Sequence, residues 1–161
     1  MDSTPLPSSA DGDPQATTFG ASQEALAKLK IAAKRETGSP ELLNKAVRAV
    51  RRGDWKTGSE LALRLLKQDE RNGVAWWIVA ICREAASDFR GAIQCYECAL
   101  QLLPEHTLIA NDLGRLAHRL GDLPTAEKLF RHLLAGQPGH ADGVNNLACV
   151  LRDQHRFDDA I

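Results

Sequence analysis

The chain has 161 residues, a formal net charge of −1 and 25% charged residues. This balance argues against nucleic-acid binding and against a polybasic membrane anchor, because both need a concentrated positive field. No stretch reaches the ~18 apolar residues of a membrane span, and no basic segment followed by an apolar run opens the chain. We therefore expect a cytoplasmic protein without nucleic-acid or membrane partners. Only 5% of residues are aromatic, while Ala, Leu and Arg are abundant, which favours an all-α fold.

Two segments precede the regular part of the chain. Residues 1–20 are rich in Pro, Ser, Asp and Gly and have no periodic apolar face, so we expect a disordered tail. Residues 21–37 predict a leading helix, because Ser22 can cap its start and Gly38 can end it. The apolar face of this helix suits packing on the segment that follows.

From residue 39 onward the sequence repeats with a period of 34 residues. The repeat frames are 39–72, 73–106, 107–140 and an incomplete 141–161, and no insertion shifts their register. Small residues recur at two positions of each frame, as expected where two helices approach closely. They are Ala46, Ala80, Gly114 and Ala148 at position 8, and Gly58, Ala92, Ala126 and Ala160 at position 20.

Each frame is predicted to be a helical hairpin. A turn residue followed by aspartate separates the two helices, and in the middle frames a proline ends the second helix. These residues are Gly53-Asp54, Ser87-Asp88, Gly121-Asp122, Pro104 and Pro138. The fourth frame stops at Ile161, soon after its predicted second helix begins, so we expect the natural protein to continue.

The frames resemble the tetratricopeptide repeat family. The second frame matches its pattern through Trp76, Ala92, Tyr96, Ala99 and Pro104, and the third through Leu113-Gly114, Gly121, Ala126, Phe130 and Pro138. The resemblance implies a right-handed superhelical array of antiparallel helix pairs, a solenoid whose last repeat is truncated. It also implies a non-catalytic protein interaction module that binds a polypeptide segment in a concave groove lined by the first helix of each pair.

The resemblance places positions 2, 5, 6, 9, 12 and 13 of each frame on this groove. The candidate binding residues are Asn44, Trp77, Ile81, Asn111, Asp112, Arg115, His118, Arg119, Asn145, Asn146 and Arg152. The groove is expected to change from apolar in its N-terminal half to polar and basic in its C-terminal half. We expect Trp76 in the core and Trp77 pointing into the groove as an aromatic anchor. The alternative is that Trp77 packs against the leading helix or a neighbouring repeat.

The asparagines offer hydrogen bonds to a peptide backbone. Asn44 and Asn146 share position 6, and an asparagine there can both donate to and accept from an extended peptide. Asn145 and Asn146 lie in a segment that resembles the repeats of protein O-glycosyltransferases, which implies a ladder of asparagines that holds the acceptor polypeptide. The alternative is that these side chains are solvated or cap the helix surface.

A basic patch is predicted near the end of the groove. Arg115, His118, Arg119 and Arg152 could attract an acidic segment, or could be paired with neighbouring carboxylates such as Asp112 and Asp153. The carboxylate clamp of chaperone-binding members of the family is not matched, because position 2 holds Pro40, Val74, Leu108 and Asp142.

No site chemistry is predicted. Cys95 and Cys98 form a CxxC pattern, but they lie in the middle of a helix and no second ligand pair is near in sequence, so we expect no metal and no cofactor. The five histidines have no nucleophile at a strained turn, and no glycine-rich phosphate loop exists. We predict no catalytic residues and no enzyme activity in this chain.

Two functional classes remain open. The chain is either a stand-alone scaffold or adaptor, or the substrate-recognition arm of a longer enzyme. Its frames resemble the N-terminal repeats of bacterial, particularly alphaproteobacterial, proteins in which such an arm precedes a glycosyltransferase domain that modifies flagellin. That resemblance implies flagellin as a polypeptide partner and a catalytic domain beyond residue 161.

Overall fold

The computed structural model describes residues 39–155, and this part of the chain consists of α-helices with no strand. The tail predicted for residues 1–20, the leading helix predicted for 21–37 and the last residues, 156–161, lie outside the described range. The helices are α1 Pro40–Arg51, α2 Trp55–Gln68, α3 Gly73–Ala85, α4 Phe89–Leu102, α5 Thr107–Arg119, α6 Leu123–Gly136 and α7 Ala141–Asp153.

The helices stack in chain order. Each helix packs against the next, and α1 also contacts α3 while α5 contacts α7, so the first helices of successive hairpins are neighbours. The all-α array of helical hairpins that the sequence predicts is confirmed. None of the helices between residues 39 and 155 has the length and apolar character needed to cross a bilayer.

The turn inside each hairpin has the same backbone geometry. Gly53, Ser87, Gly121 and His155 recur every 34 residues, and all have a positive φ between 62° and 82°. The following aspartate caps the second helix of each complete hairpin, because its carboxylate accepts a hydrogen bond from the backbone N–H three residues later. The reversal of the chain is therefore set locally, and the helices are free to pack through their apolar faces.

Gly121 is a turn position where a side chain should cost stability. Its φ is +82°, and an added Cβ would have no atom within 4 Å, so Gly121→Ala strains only the backbone. We expect a loss of about 1 kcal/mol and a melting temperature lower by a few degrees. Gly139→Ala is the matched control, because its surroundings are equally open and its φ is not positive. Equal melting temperatures for the two variants, measured by circular dichroism, would contradict the assigned turn geometry.

Small residues allow the two helices of a hairpin to approach. Ala46, Ala80, Ala92 and Ala126 are fully buried. At Gly114, an added Cβ would lie 2.8 Å from Cε1 of Phe130, which itself is fully buried on the partner helix. The recurrence of Ala and Gly at positions 8 and 20 thus reflects direct contact between helices.

Helix α3 is buried on almost every side. Nine of its 13 residues are buried, since it packs between α2 and α4 and also touches α1. Helix α5 is similarly enclosed, with ten buried residues. These two helices form the centre of the core, which limits how much of their surface a ligand can reach.

Candidate functional site

A series of polar contacts joins the first helices of adjacent repeats. Each contact links two residues that are 35 positions apart, from position 5 to position 6 or from position 12 to position 13 of the next frame. The pairs are Trp77 with Asp112, Glu84 with Arg119, Asn111 with Asn146, and His118 with Asp153. Positions 5 and 12 are two helical turns apart and lie on one face, so we call these four pairs the inter-repeat ladder.

The ladder is polar only in the later repeats. At the first interface the same positions hold Leu43 opposite Ile78 and Val50 opposite Ala85, and Leu43, Val50 and Ile78 are buried. The change from apolar to polar that the sequence shows along positions 5, 6, 12 and 13 therefore belongs to the contacts between repeats. Much of the predicted groove surface is used to hold adjacent repeats together.

The prediction for Trp77 is wrong. Its side chain is fully buried, and its Nε1–H donates a 2.9 Å hydrogen bond to Oδ2 of Asp112 on the next repeat. Its ring also meets His106 edge to face, with ring centroids 4.9 Å apart. Trp76 is the more exposed of the two, and its Nε1–H donates to the carbonyl of Glu70. Trp77 thus packs against a neighbouring repeat, as the alternative interpretation expects.

Asp112 is a buried carboxylate at the centre of the ladder. It is 2% exposed, and besides Trp77 it accepts a long 3.4 Å hydrogen bond from Nη1 of Arg115. Burial, aided by the charge of Glu84, raises the pKa of Asp112 to about 6, although Arg115 and the Trp77 hydrogen bond act to lower it. The two donors thus offset only part of the cost of removing this carboxylate from water.

Glu84 forms the second rung of this interface. Its Oε1 lies 3.1 Å from Nη2 of Arg119, and its Oε2 accepts a 2.9 Å hydrogen bond from the hydroxyl of Tyr96. Burial and the nearby carboxylates raise the pKa of Tyr96 well above its ordinary value, so the hydroxyl remains a donor. The guanidinium of Arg119 also lies over the ring of Phe89, 4.8 Å from its centroid.

Ile81 and Asn44 are two further residues that are predicted to line the groove. Ile81 is 3% exposed and belongs to the main apolar core, so the prediction that it lines the groove is wrong. The helix α3 that carries it is enclosed by its neighbours, which leaves position 9 no free surface there. Asn44 is exposed on α1. In the other frames the same position faces the preceding repeat, and Asn44 lies at the opposite end of the array from Asn111 and Asn146.

The asparagines of the last two repeats come together. Asn146 is half-buried and its Nδ2 donates a 3.1 Å hydrogen bond to Oδ1 of Asn111, which is 4% exposed. Asn145 on the same helix is exposed. Asn111 therefore acts on the orientation of Asn146, and Asn145 is the more exposed of these two adjacent amides.

The basic candidates all have carboxylate partners. Besides the contacts of Arg115 and Arg119 already described, Nε2 of His118 lies 2.8 Å from Oδ2 of Asp153, and Nε of Arg152 lies 3.6 Å from its Oδ1. The hydrogen bond with His118 lowers the pKa of Asp153, and Arg152 adds to this effect. The geometry matches the alternative of paired arginines. Arg152 remains the most open of these cations, with 62% of its side chain exposed, whereas the side chains of Arg115 and Arg119 are each 37% exposed.

The cysteines of the described residues are all free thiols. Burial raises the pKa of Cys82 to about 12 and also raises that of Cys95, which disfavours the thiolate needed for redox exchange or metal binding. Between residues 39 and 155 no group of three or more His, Cys, Asp or Glu side chains is arranged to hold a metal ion.

A family model described as a tetratricopeptide repeat matches residues 83–141. The same fold is found in the first TPR of Spaghetti (RPAP3) bound to the HSP90 peptide SRMEEVD, with a TM-score of 0.67, 18% identity, and coverage of 71% of this chain and 93% of that one. Residues 83–141 match the tetratricopeptide-repeat family, and residues 39–155 have the fold of a tetratricopeptide-repeat array. PcrH, solved in complex with the chaperone binding region of PopD, is also similar to it, with a TM-score of 0.65, 21% identity, and coverage of 71% and 91%.

The tetratricopeptide-repeat array also has a relative by sequence. The chain is 44% identical over 143 residues to Protein FlbA of Caulobacter vibrioides. The match covers 88% of this chain and 24% of that protein, so the chain spans about a quarter of its relative's length.

Three residues at or beside the inter-repeat ladder are absent from the sequence-based set of candidates. Glu84 pairs with Arg119, whose guanidinium also lies over Phe89, and Tyr96 donates a hydrogen bond to Glu84; only the tertiary structure brings these residues together. A signal for the ladder was nevertheless present. Hydrogen-bonding side chains recur at a separation of 35, one more than the repeat period, because the facing sides of neighbouring first helices are offset by one residue.

Proposed function

We propose that the chain is a non-catalytic protein interaction module that binds an extended segment of a partner polypeptide along its first helices. The tetratricopeptide-repeat fold supports this proposal, and two solved structures with the same fold hold a peptide or a chaperone binding region of another protein. The observation that carries it is the Asn111–Asn146 pair, which fixes one amide beside the exposed Asn145.

In this proposal the partner's backbone meets the last repeat. Oδ1 of Asn146 accepts from a backbone N–H, and Asn145 both donates and accepts, while Asn111 holds Asn146 in place. Two neutral amides contribute roughly 1 to 3 kcal/mol together, far short of the ~8 kcal/mol of a micromolar complex. With Trp77 buried, the partly exposed side chains of Arg115 and Arg152 supply further contact.

The proposal predicts a local loss of binding in an Asn145→Ala/Asn146→Ala variant. Peptides selected from a random display library on the wild-type chain should bind this variant about 5- to 150-fold more weakly, because two backbone hydrogen bonds are removed. Asn44→Ala is the matched control, since Asn44 is exposed at the same frame position but lies at the other end of the array. Equal affinities for wild type and the double variant, measured by calorimetry, would remove the last repeat from the binding site.

A second proposal concerns the longer protein. The 44% identity to a relative of which this chain spans 24% favours a role as one arm of a larger polypeptide. We propose that this arm recognises a polypeptide acceptor, which the resemblance of its repeats suggests is flagellin, for a cytoplasmic glycosyltransferase domain encoded beyond residue 161. The reading frame past residue 161 should then encode a nucleotide-sugar-binding α/β domain. If it encodes no such domain, the chain acts as a scaffold or adaptor.

A further inference from the structure

A stripe of basic side chains covers one side of α1 and its C-terminal end. Arg48 follows Lys45 by three residues, and Arg51 and Arg52 follow Arg48 by three and four, which places Arg48 next to each of the other three on the helix surface. All four are exposed. We call them the end-face stripe, because α1 is the first helix of the described array.

The cations of the end-face stripe differ from those on the other first helices. Every arginine on α3, α5 and α7 lies within 4.0 Å of a carboxylate: Arg83 at Asp88, Arg115 at Asp112, Arg119 at Glu84, and Arg152 at Asp153. Within the described residues, no such carboxylate partner is found for the stripe. No carboxylate of residues 39–155 therefore neutralises the positive charge of the stripe, in a chain whose total charge is only −1.

The place of the stripe in the repeat explains its exposure. Position 10 carries Arg48 in the first repeat, and further along the same position faces the preceding repeat, where Cys82 and Leu116 are buried. A polar end face keeps a repeat array soluble. Solubility does not require one sign of charge, however, and like charges at this spacing destabilise a helix. The helix dipole favours Arg48 and Arg51 in the last turn but gives no reason for Lys45 in the middle of α1.

We propose that the end-face stripe is a docking surface for an acidic segment of a partner polypeptide. From Lys45 to Arg52 the stripe extends about 10 Å along the helix, the length of three or four extended residues. Three of its four cations are arginines, whose planar guanidinium groups bind carboxylates through two parallel hydrogen bonds. A short run of Asp or Glu matches the stripe in both length and charge.

The surroundings of the stripe favour a polypeptide over other anions. Glu41 and Asp54 flank it in sequence and would repel a phosphate backbone that ran past either end, and the stripe offers four cations where a duplex-DNA complex can involve roughly 6 to 10 phosphate contacts. A helix that binds a membrane surface inserts an apolar face into the lipid. The large apolar side chains that are exposed in the described residues lie outside α1, and they are Leu63, Leu120 and Val144. An acidic peptide needs neither a longer track nor an apolar anchor.

Binding of a labelled glutamate-rich peptide to the 161-residue chain tests this proposal by fluorescence anisotropy. The wild type should bind it, a matched lysine-rich peptide should not, and affinity should fall between about 50 and 200 mM salt, as screened charges require. Arg48→Glu/Arg52→Glu should weaken binding at least tenfold. Arg64→Glu/Lys67→Glu makes the same charge change at exposed sites on α2 and should weaken it less than threefold.

Further controls test for misfolding of the variants and for binding of other ligands. Circular dichroism checks that each variant is folded. If Arg48→Glu/Arg52→Glu does not fold, Arg48→Gln/Arg52→Gln takes its place and should also lose binding. Asn145→Ala/Asn146→Ala should bind the acidic peptide as the wild type does, because that site is separate. Equal losses in the α1 and α2 variants, no binding by the wild type, or tighter binding to an oligonucleotide or to anionic vesicles would overturn the proposal.

Discussion

Replacing Trp77 with alanine should largely unfold the array. The indole is fully buried among the repeats, and removing an aromatic side chain from such a site costs about 3 to 5 kcal/mol. The substitution also removes the Nε1–H donor of Asp112 and leaves a buried carboxylate with only its long contact to Arg115, which adds about 1 to 3 kcal/mol. Because domains are typically stable by about 5 to 15 kcal/mol, denaturant melts should show a severe loss.

Trp76→Ala is the matched control for this variant. Trp76 is adjacent in sequence but only half-buried, and its indole N–H bonds to a backbone carbonyl, so its loss should cost clearly less. Trp77→Phe separates the two contributions, since it keeps most of the apolar volume and removes only the N–H donor. A Trp76→Ala variant that is less stable than Trp77→Ala would contradict the burial of Trp77.

Asp112 should make the stability of the array fall as the pH rises. Its pKa is about 6 in the folded chain and about 3.9 when unfolded, so the folded state binds a proton more tightly. This contribution is fully present below about pH 4 and is lost as the pH rises through about 6. The difference of roughly two pKa units corresponds to about 3 kcal/mol. Asp112→Asn should remove this slope, because its amide oxygen can still accept the Trp77 hydrogen bond without a charge.

The difference in unfolding free energy between wild type and Asp112→Asn isolates this effect, measured by urea melts from about pH 4 to 7.5. Other groups cancel in that difference, including Asp54 and Asp153, whose lowered pKa values act in the opposite direction. Asp142→Asn removes the same charge from an exposed site on α7 and should show no loss that grows with pH. A parallel pH dependence for wild type and Asp112→Asn would mean that Asp112 stays charged in the folded chain.

The sequence-based prediction of groove residues is wrong where neighbouring repeats meet. Position 5 was assigned to a ligand-facing surface, but in this chain it faces position 6 of the next repeat. Trp77 and Asn111 occupy it and bond to Asp112 and Asn146. A repeat period reveals which residues are equivalent, yet it leaves open whether an equivalent residue meets a ligand or the next helix.

The helical hairpins can be predicted from the sequence alone. The period of 34, the aspartate caps after each turn and the small residue Gly114 opposite Phe130 are local or nearest-neighbour features, so they follow from backbone geometry and side-chain size. Which polar groups are buried, and which partner each one has, depends on how the helices pack. The burial of Asp112 beside Trp77 depends on how α3 and α5 are positioned relative to each other, and this arrangement is set by the whole core around the two helices.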